Sequence, residues 1–170
     1  VTTDWRYDPP IRYTYSASQS EEEREKLATV KRMAYEEGRQ YLAEAKAAID
    51  RKIGQKPPPL PEEGWIHSEP LTWDALKGKA VALLFWDVGC GPCHGPLGRI
   101  ENGYKTSAEQ NGIYIAVHRA TDDRSMVEKH LAEQGWTFPV LIDGSGEDDS
   151  SPSLFEWFGI QGMPWMVTVG

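Results

Sequence analysis

The chain has 170 residues, 39% of them apolar and 26% charged, with seven Trp and seven Tyr. That is enough apolar and aromatic surface for a packed core, and it excludes a globally disordered chain. A net charge of −8 argues against a nucleic-acid partner, because phosphate recognition needs a basic face, and no apolar run reaches the ~20 residues of a membrane-spanning helix.

The sequence starts without an initiator Met, so Val1 is expected to follow a removed signal, anchor or tag. Residues 1–19 read as an extended, aromatic-rich leader that packs on its own domain. A long amphipathic helix is predicted over 20–56. Ser20 and Glu23 fit a capping box, and Glu21, Glu22 and Glu25 suit the positive helix start. Arg51 and Lys52 suit its negative end, and Gly54 with Pro57, Pro58 and Pro59 stops it. Leu27, Val30, Ala34, Tyr41, Ala45 and Ala48 form its apolar stripe, flanked by Leu42, Ile49 and Ile53. Residues 57–64, PPPLPEEG, form a Pro-rich linker.

The second domain is predicted over 65–170. Thr72 can cap a short helix at 73–78. AVALLFW, 80–86, is a continuous apolar run of the kind found in a strand buried on both faces. A helix with a poor start follows at 91–110. IYIAVH, 113–118, reads as a second buried strand, 125–135 as a helix and 138–143 as a strand. An acidic loop leads to a short helical turn at 154–159 and a last strand at 166–170. Strands alternating with helices imply an α/β fold built on a central sheet.

The chemistry lies in GCGPCHGP, 89–96, which contains both a C-x-x-C dithiol and the C-x-x-C-H spacing of a c-type haem attachment site. A buried strand just before the motif speaks against the helical setting of a small haem domain. A closed structural zinc site needs four ligands, and there is no second cysteine pair. A copper site remains the rival, with His94, His118 or His130 as third ligand beside the thiols. For redox chemistry, a thiol at a strand-to-helix turn faces the positive helix end, where thiolate formation is favoured. Cys90, at the tip, is the expected nucleophile, and Cys93, one turn in, the resolving thiol.

LKGKAVALLFWDVGCGPC, together with FGIQGMP near the end of the chain, resembles the thioredoxin superfamily, in particular its TlpA/ResA-type extracytoplasmic thiol–disulfide oxidoreductases (redoxins). The resemblance covers about residues 65–170. It implies a thioredoxin-like fold, a central mixed sheet flanked by helices, here preceded by the long N-terminal helix. It also implies that the domain is short at its C-terminal end, lacking one strand and one helix. Gly162-Met163-Pro164 would be the cis-proline loop, so that Gly91, Pro92, Met163 and Pro164 bind substrate beside Cys90 and Cys93. The implied partners are a protein disulfide or dithiol and an upstream thiol electron donor. The implied location is the periplasm or cell envelope, with a membrane anchor outside this stretch. Self-association through residues 20–53 is a further expectation. No cofactor or resident metal is implied, since the dithiol itself carries two electrons. The alternatives are a copper-binding metallochaperone domain and a catalytically weak interaction module.

The chain departs from the family pattern at four places. Gly89 stands where a large residue usually precedes the first cysteine. Leu84 and Pro96 stand at the two positions that carry proton-handling carboxylates, and Gly98 where a helix-kinking proline is expected.

Overall fold

In the computed structural model, residues 20–109, 111–121, 123–144 and 152–170 are described. The leader and most of the acidic loop lie outside them. The chain divides into two compact units, 1–53 and 54–170.

The first unit contains α1, Glu21–Asp50, a single uninterrupted helix. Its start is the capping box read from the sequence: Glu23 N–H donates to the Ser20 hydroxyl and Ser20 N–H to the Glu23 carboxylate. Lys26–Glu22 and Lys46–Asp50 pair at i,i+4 on its surface. Val30, expected on the apolar stripe, is exposed, as is Leu42 on the flanking row.

The second unit is a five-stranded mixed sheet. The strands are β1 (Trp65–Ile66), β2 (Ala80–Trp86), β3 (Gly112–His118), β4 (Val140–Ile142) and β5 (Trp165–Val169). Their spatial order is β1-β4-β3-β2-β5. β2, β3 and β4 run parallel, and β1 and β5 pair antiparallel at the two sides. Three helices join the strands: α2 (His94–Glu109), α3 (Arg124–Gln134) and α4 (Leu154–Phe158).

Side-chain alternation along β2 builds two half-cores. Leu84 and Trp86 join Cys93, Leu97 and Ile100 of the α2 segment and Val127 and Leu131 of α3 in one cluster. Phe85, one position out of phase, meets the edges of Phe155 and Phe158 in α4 at ring distances of 4.9 and 5.8 Å. Each face of β2 is thus covered by helix, which is why AVALLFW carries no polar residue.

Local signals fix the helix ends. Asp123 accepts from Met126 N–H at the start of α3, and Gly135 ends it in the left-handed conformation at φ 68°. Ser153 and Glu156 form a capping box on α4, and Gly159, φ 68°, closes it. The buried Asp143, just after β4, also accepts from Leu154 and Phe155 N–H at 3.0 and 2.8 Å, which pins α4 to the sheet.

The structure corrects two local expectations. Residues 73–78 form turns and no helix, although Ala75 N–H does donate to the Thr72 hydroxyl. Gly78, at φ 77°, leaves too little chain for a second helical turn. The short β1 was not foreseen. The Pro-rich stretch, read as a linker, belongs to the second unit: the Trp65 and Trp73 indoles donate to the Pro61 and Pro58 carbonyls, and Leu60 is buried.

Candidate active site

The dithiol sits where the central strand gives way to helix. After Trp86 the chain turns through Asp87, Val88 and Gly89 into a single 3-10 turn, Gly91–Cys93, that runs directly into α2. Cys90 occupies the N-cap position of that turn with no side-chain cap, and Pro92 lies in its first residues, where a missing N–H costs nothing. Cys93 N–H donates to the Cys90 carbonyl, closing the turn. Cys90 and Cys93 are disulfide-bonded, with sulfurs 2.05 Å and Cα atoms 5.4 Å apart.

The two sulfurs have different surroundings. Cys93 is wholly buried in the cluster formed by Trp86, Leu97 and Ile100, whereas Cys90 is partly exposed and flanked by exposed Gly89, Gly91 and Pro92. A thiol at a helix start lies at the positive end of the backbone dipole, a setting that favours a thiolate.

The Met163–Pro164 bond is cis, and β5 begins at the next residue. Phe85 pairs with Trp165, so the residues before Trp165 run alongside those that follow Phe85 toward the dithiol. Met163 and Cys90 both pack against the cluster that holds Cys93.

Gly89 has a local reason. Its N–H donates to the Asp87 carboxylate at 2.7 Å, and a Cβ on Gly89 would lie 3.2 Å from the same oxygen. A side chain before Cys90 would therefore need the Asp87 carboxylate to shift by a few tenths of an ångström.

His118 is a part of the site whose role the sequence did not reveal. It ends β3 opposite Trp86 and is almost fully buried. Its Nε2 accepts from Val88 N–H at 3.1 Å, so the ring proton sits on Nδ1, which donates to the Arg119 carbonyl at 2.6 Å. The ring thereby holds the loop leading to Cys90, using a register contact 30 residues away in sequence. Burial pushes its pKa down, against the opposing pulls of the Arg119 carbonyl and Asp87.

A buried histidine with a lowered pKa stabilises the fold fully above its unfolded value near 6.5. That contribution falls away as pH drops from there toward the folded value. Urea midpoints at pH 7.5 and 5.5 should fall more for the wild type than for His118→Gln, whose amide can replace both bonds without titrating. His118→Leu should lose about 1–3 kcal/mol at pH 7.5, because the partly buried Val88 N–H and the Arg119 carbonyl lose their partner.

The copper alternative finds no support in this geometry. Among the described residues, no three His, Cys, Asp or Glu side chains are grouped to hold a metal ion, and both nitrogens of His118 are engaged by backbone.

The sheet order, the parallel β2-β3-β4 core and a dithiol on the strand-to-helix turn define a thioredoxin-like fold. The chain belongs to the AhpC/TSA family, whose sequence profile matches residues 53–151. It is 26% identical over 104 residues to the thiol-disulfide oxidoreductase ResA of Halalkalibacterium halodurans, covering 61% of this chain and 55% of that protein. It is 34% identical over 68 residues to ResA of Bacillus subtilis, covering 40% and 37%. The chain thus spans about half or less of the length of these relatives. Among solved structures, a thiol-disulfide isomerase from Corynebacterium glutamicum superposes with a TM-score of 0.57 at 20% identity, over 68% of this chain and 79% of that one. A likeness at that identity speaks to the fold.

Proposed function

We propose that this protein is a thiol–disulfide oxidoreductase that exchanges the Cys90–Cys93 dithiol and disulfide with a protein substrate. The observation that carries the reading is the asymmetry of the pair: a disulfide with one sulfur buried and the other at an uncapped, partly exposed helix start. The relatives named above, two of them called thiol-disulfide oxidoreductases, support the same class of chemistry.

In the reducing direction, the Cys90 thiolate attacks a substrate disulfide. A bond forms between Cys90 Sγ and one substrate sulfur, and the other substrate sulfur leaves as thiolate. Cys93 loses its proton and attacks Cys90 Sγ, which breaks the mixed disulfide and releases the second substrate thiolate. Two electrons pass to the substrate, and the Cys90–Cys93 bond closes. An upstream thiol donor then restores the dithiol, and in the oxidising direction the same steps run in reverse. Gly91 and Pro92 form the exposed rim that meets the substrate, and Met163-Pro164 the backbone platform beside it. The resemblance to TlpA/ResA-type proteins supports a location outside the cytoplasm and tethering to a membrane. No helix among the described residues is long and apolar enough to cross a membrane.

Insulin reduction by dithiothreitol should be accelerated by catalytic amounts of the protein, and quantitative thiol counting should rise from zero to two on reduction. A protein that leaves the insulin rate unchanged and whose cysteines do not cycle would refute the reading. Equilibration with glutathione then gives the direction of flow: a potential near the roughly −270 mV of thioredoxin marks a reductant, and one near the roughly −120 mV of DsbA an oxidant.

A further inference from the structure

The exchange chemistry leaves one group of buried polar atoms unused. Trp86 ends β2, His94 opens α2 directly after Cys93, and His130 lies in α3. The imidazoles of His94 and His130 lie 5.0 Å apart, tilted by 32°. The Trp86 indole is 6.0 Å from His130, and Trp136 contacts all three rings at 5.7 to 6.1 Å. Trp86 and Trp136 belong to the cluster that encloses Cys93.

On each of the three rings one nitrogen is buried with no hydrogen-bond partner: Trp86 Nε1, His94 Nε2 and His130 Nε2. Buried polar atoms are nearly always paired, so three orphans on rings that all border Trp136 call for a partner. The indole can only donate, whereas each imidazole can donate or accept. The set suits a small hydrogen-bonding species such as water, and it can pass a proton along.

The buried thiol needs such a group. Cys93 must lose a proton before it attacks, and apolar surroundings hold a thiol in its protonated form. Leu84 and Trp86 of β2 and Leu97 and Ile100 of α2 pack in one cluster with Cys93, so the side chains these elements bring to it are apolar. His118, the nearby third histidine, is already bonded at both nitrogens.

We propose that His94 and His130 form the proton-handling pair for Cys93, exchanging its proton through water held against the Trp86 N–H. This rests on the oxidoreductase reading above. When Cys93 attacks the mixed disulfide, its S–H bond breaks and the proton passes to an imidazole Nε2, giving an imidazolium. The sulfur electron pair forms the bond to Cys90. The leaving substrate thiolate then takes the proton, and the neutral imidazole returns.

The charged and titratable neighbours are compatible with that role. Burial, then His94, push the His130 pKa down, and Glu133 on the same helix pulls it up. His118 on β3 faces His130, with Asp87 from the loop and Arg119 acting on His118 in turn. Burial thus favours the neutral form of His130, which is able to accept a proton.

The test begins with the wild-type protein. NMR titration of the histidine rings in the oxidised and reduced forms should give a different midpoint for His94 or His130 in the two states. Identical midpoints would overturn the proposal. A His94→Gln/His130→Gln variant is then followed by stopped flow against a small disulfide. Attack by Cys90, read by alkylation and by mixed-disulfide formation, should stay within about 2-fold of wild type. Resolution by Cys93 should slow by about 10²-fold and lose its pH dependence between about pH 5 and 8, the histidine range. An unchanged resolution rate and pH profile would refute the role, as would an equal slowing of both steps. Wild-type protein that forms no mixed disulfide through Cys90 would instead refute the oxidoreductase reading, and the ring titrations would still show whether the pair senses Cys93.

Discussion

A Cys90→Ser variant is expected to lose disulfide exchange entirely, whereas Cys93→Ser should perform the first step and stop. The difference follows from exposure. Cys90 stands partly open at the start of the helical segment, and Cys93 is sealed beneath it. Without Cys93, the mixed disulfide formed through Cys90 has no internal attacker, so a covalent adduct with the substrate should accumulate toward one per protein. Non-reducing electrophoresis with mass spectrometry reads this directly. The adduct should vanish on adding dithiothreitol and be absent from the Cys90→Ser protein. An adduct formed through Cys93, or insulin reduction surviving in Cys90→Ser, would reverse the assigned roles.

The largest effect on stability is expected at Phe85. It is fully buried in the central strand, and its ring meets the edges of Phe155 and Phe158. Phe85→Ala removes the side chain that joins β2 to α4, leaving a cavity and breaking two aromatic contacts. Large-to-small changes of this kind cost about 3–5 kcal/mol, which corresponds to a fall in melting temperature of roughly 10 °C or more. Phe85→Leu keeps most of the volume and should lose less than half as much. Equal losses for the two variants would mean that something other than cavity formation governs the site. Disulfide exchange should persist in Phe85→Leu, because Phe85 faces away from the cluster that holds Cys93.

The elements that could be read from the sequence are those whose signals are local. The run 80–86 has no polar residue because helices cover both its faces, and the Ser20–Glu23 capping box is complete within four residues. The dithiol is equally legible, since its spacing and the preceding strand are contiguous in the sequence. The elements that escaped depend on tertiary pairing. β1 has only two residues and exists because Trp65 and Ile66 find Leu141 and Val140. His118 looks like any histidine at the end of an apolar run until the register of β2 and β3 brings Val88 to it. His94 and His130 are 36 positions apart, and only the packing of α2 and α3 on one face of the sheet stacks their rings. Asp143 gives no sign in sequence that it will hold the start of α4. The overestimate at 73–78 has the opposite cause: a good cap was present, but the chain was too short to use it.

The turn at Gly89 limits how this active site could be altered. The Gly89 N–H is held by the Asp87 carboxylate, and a side chain at position 89 would begin 3.2 Å from that oxygen. Asp87 would have to give by a few tenths of an ångström, and its charge acts on His118, the ring that holds Val88 and the loop leading to Cys90. At position 89, a substitution made to tune substrate choice would also change the acid–base balance behind the loop.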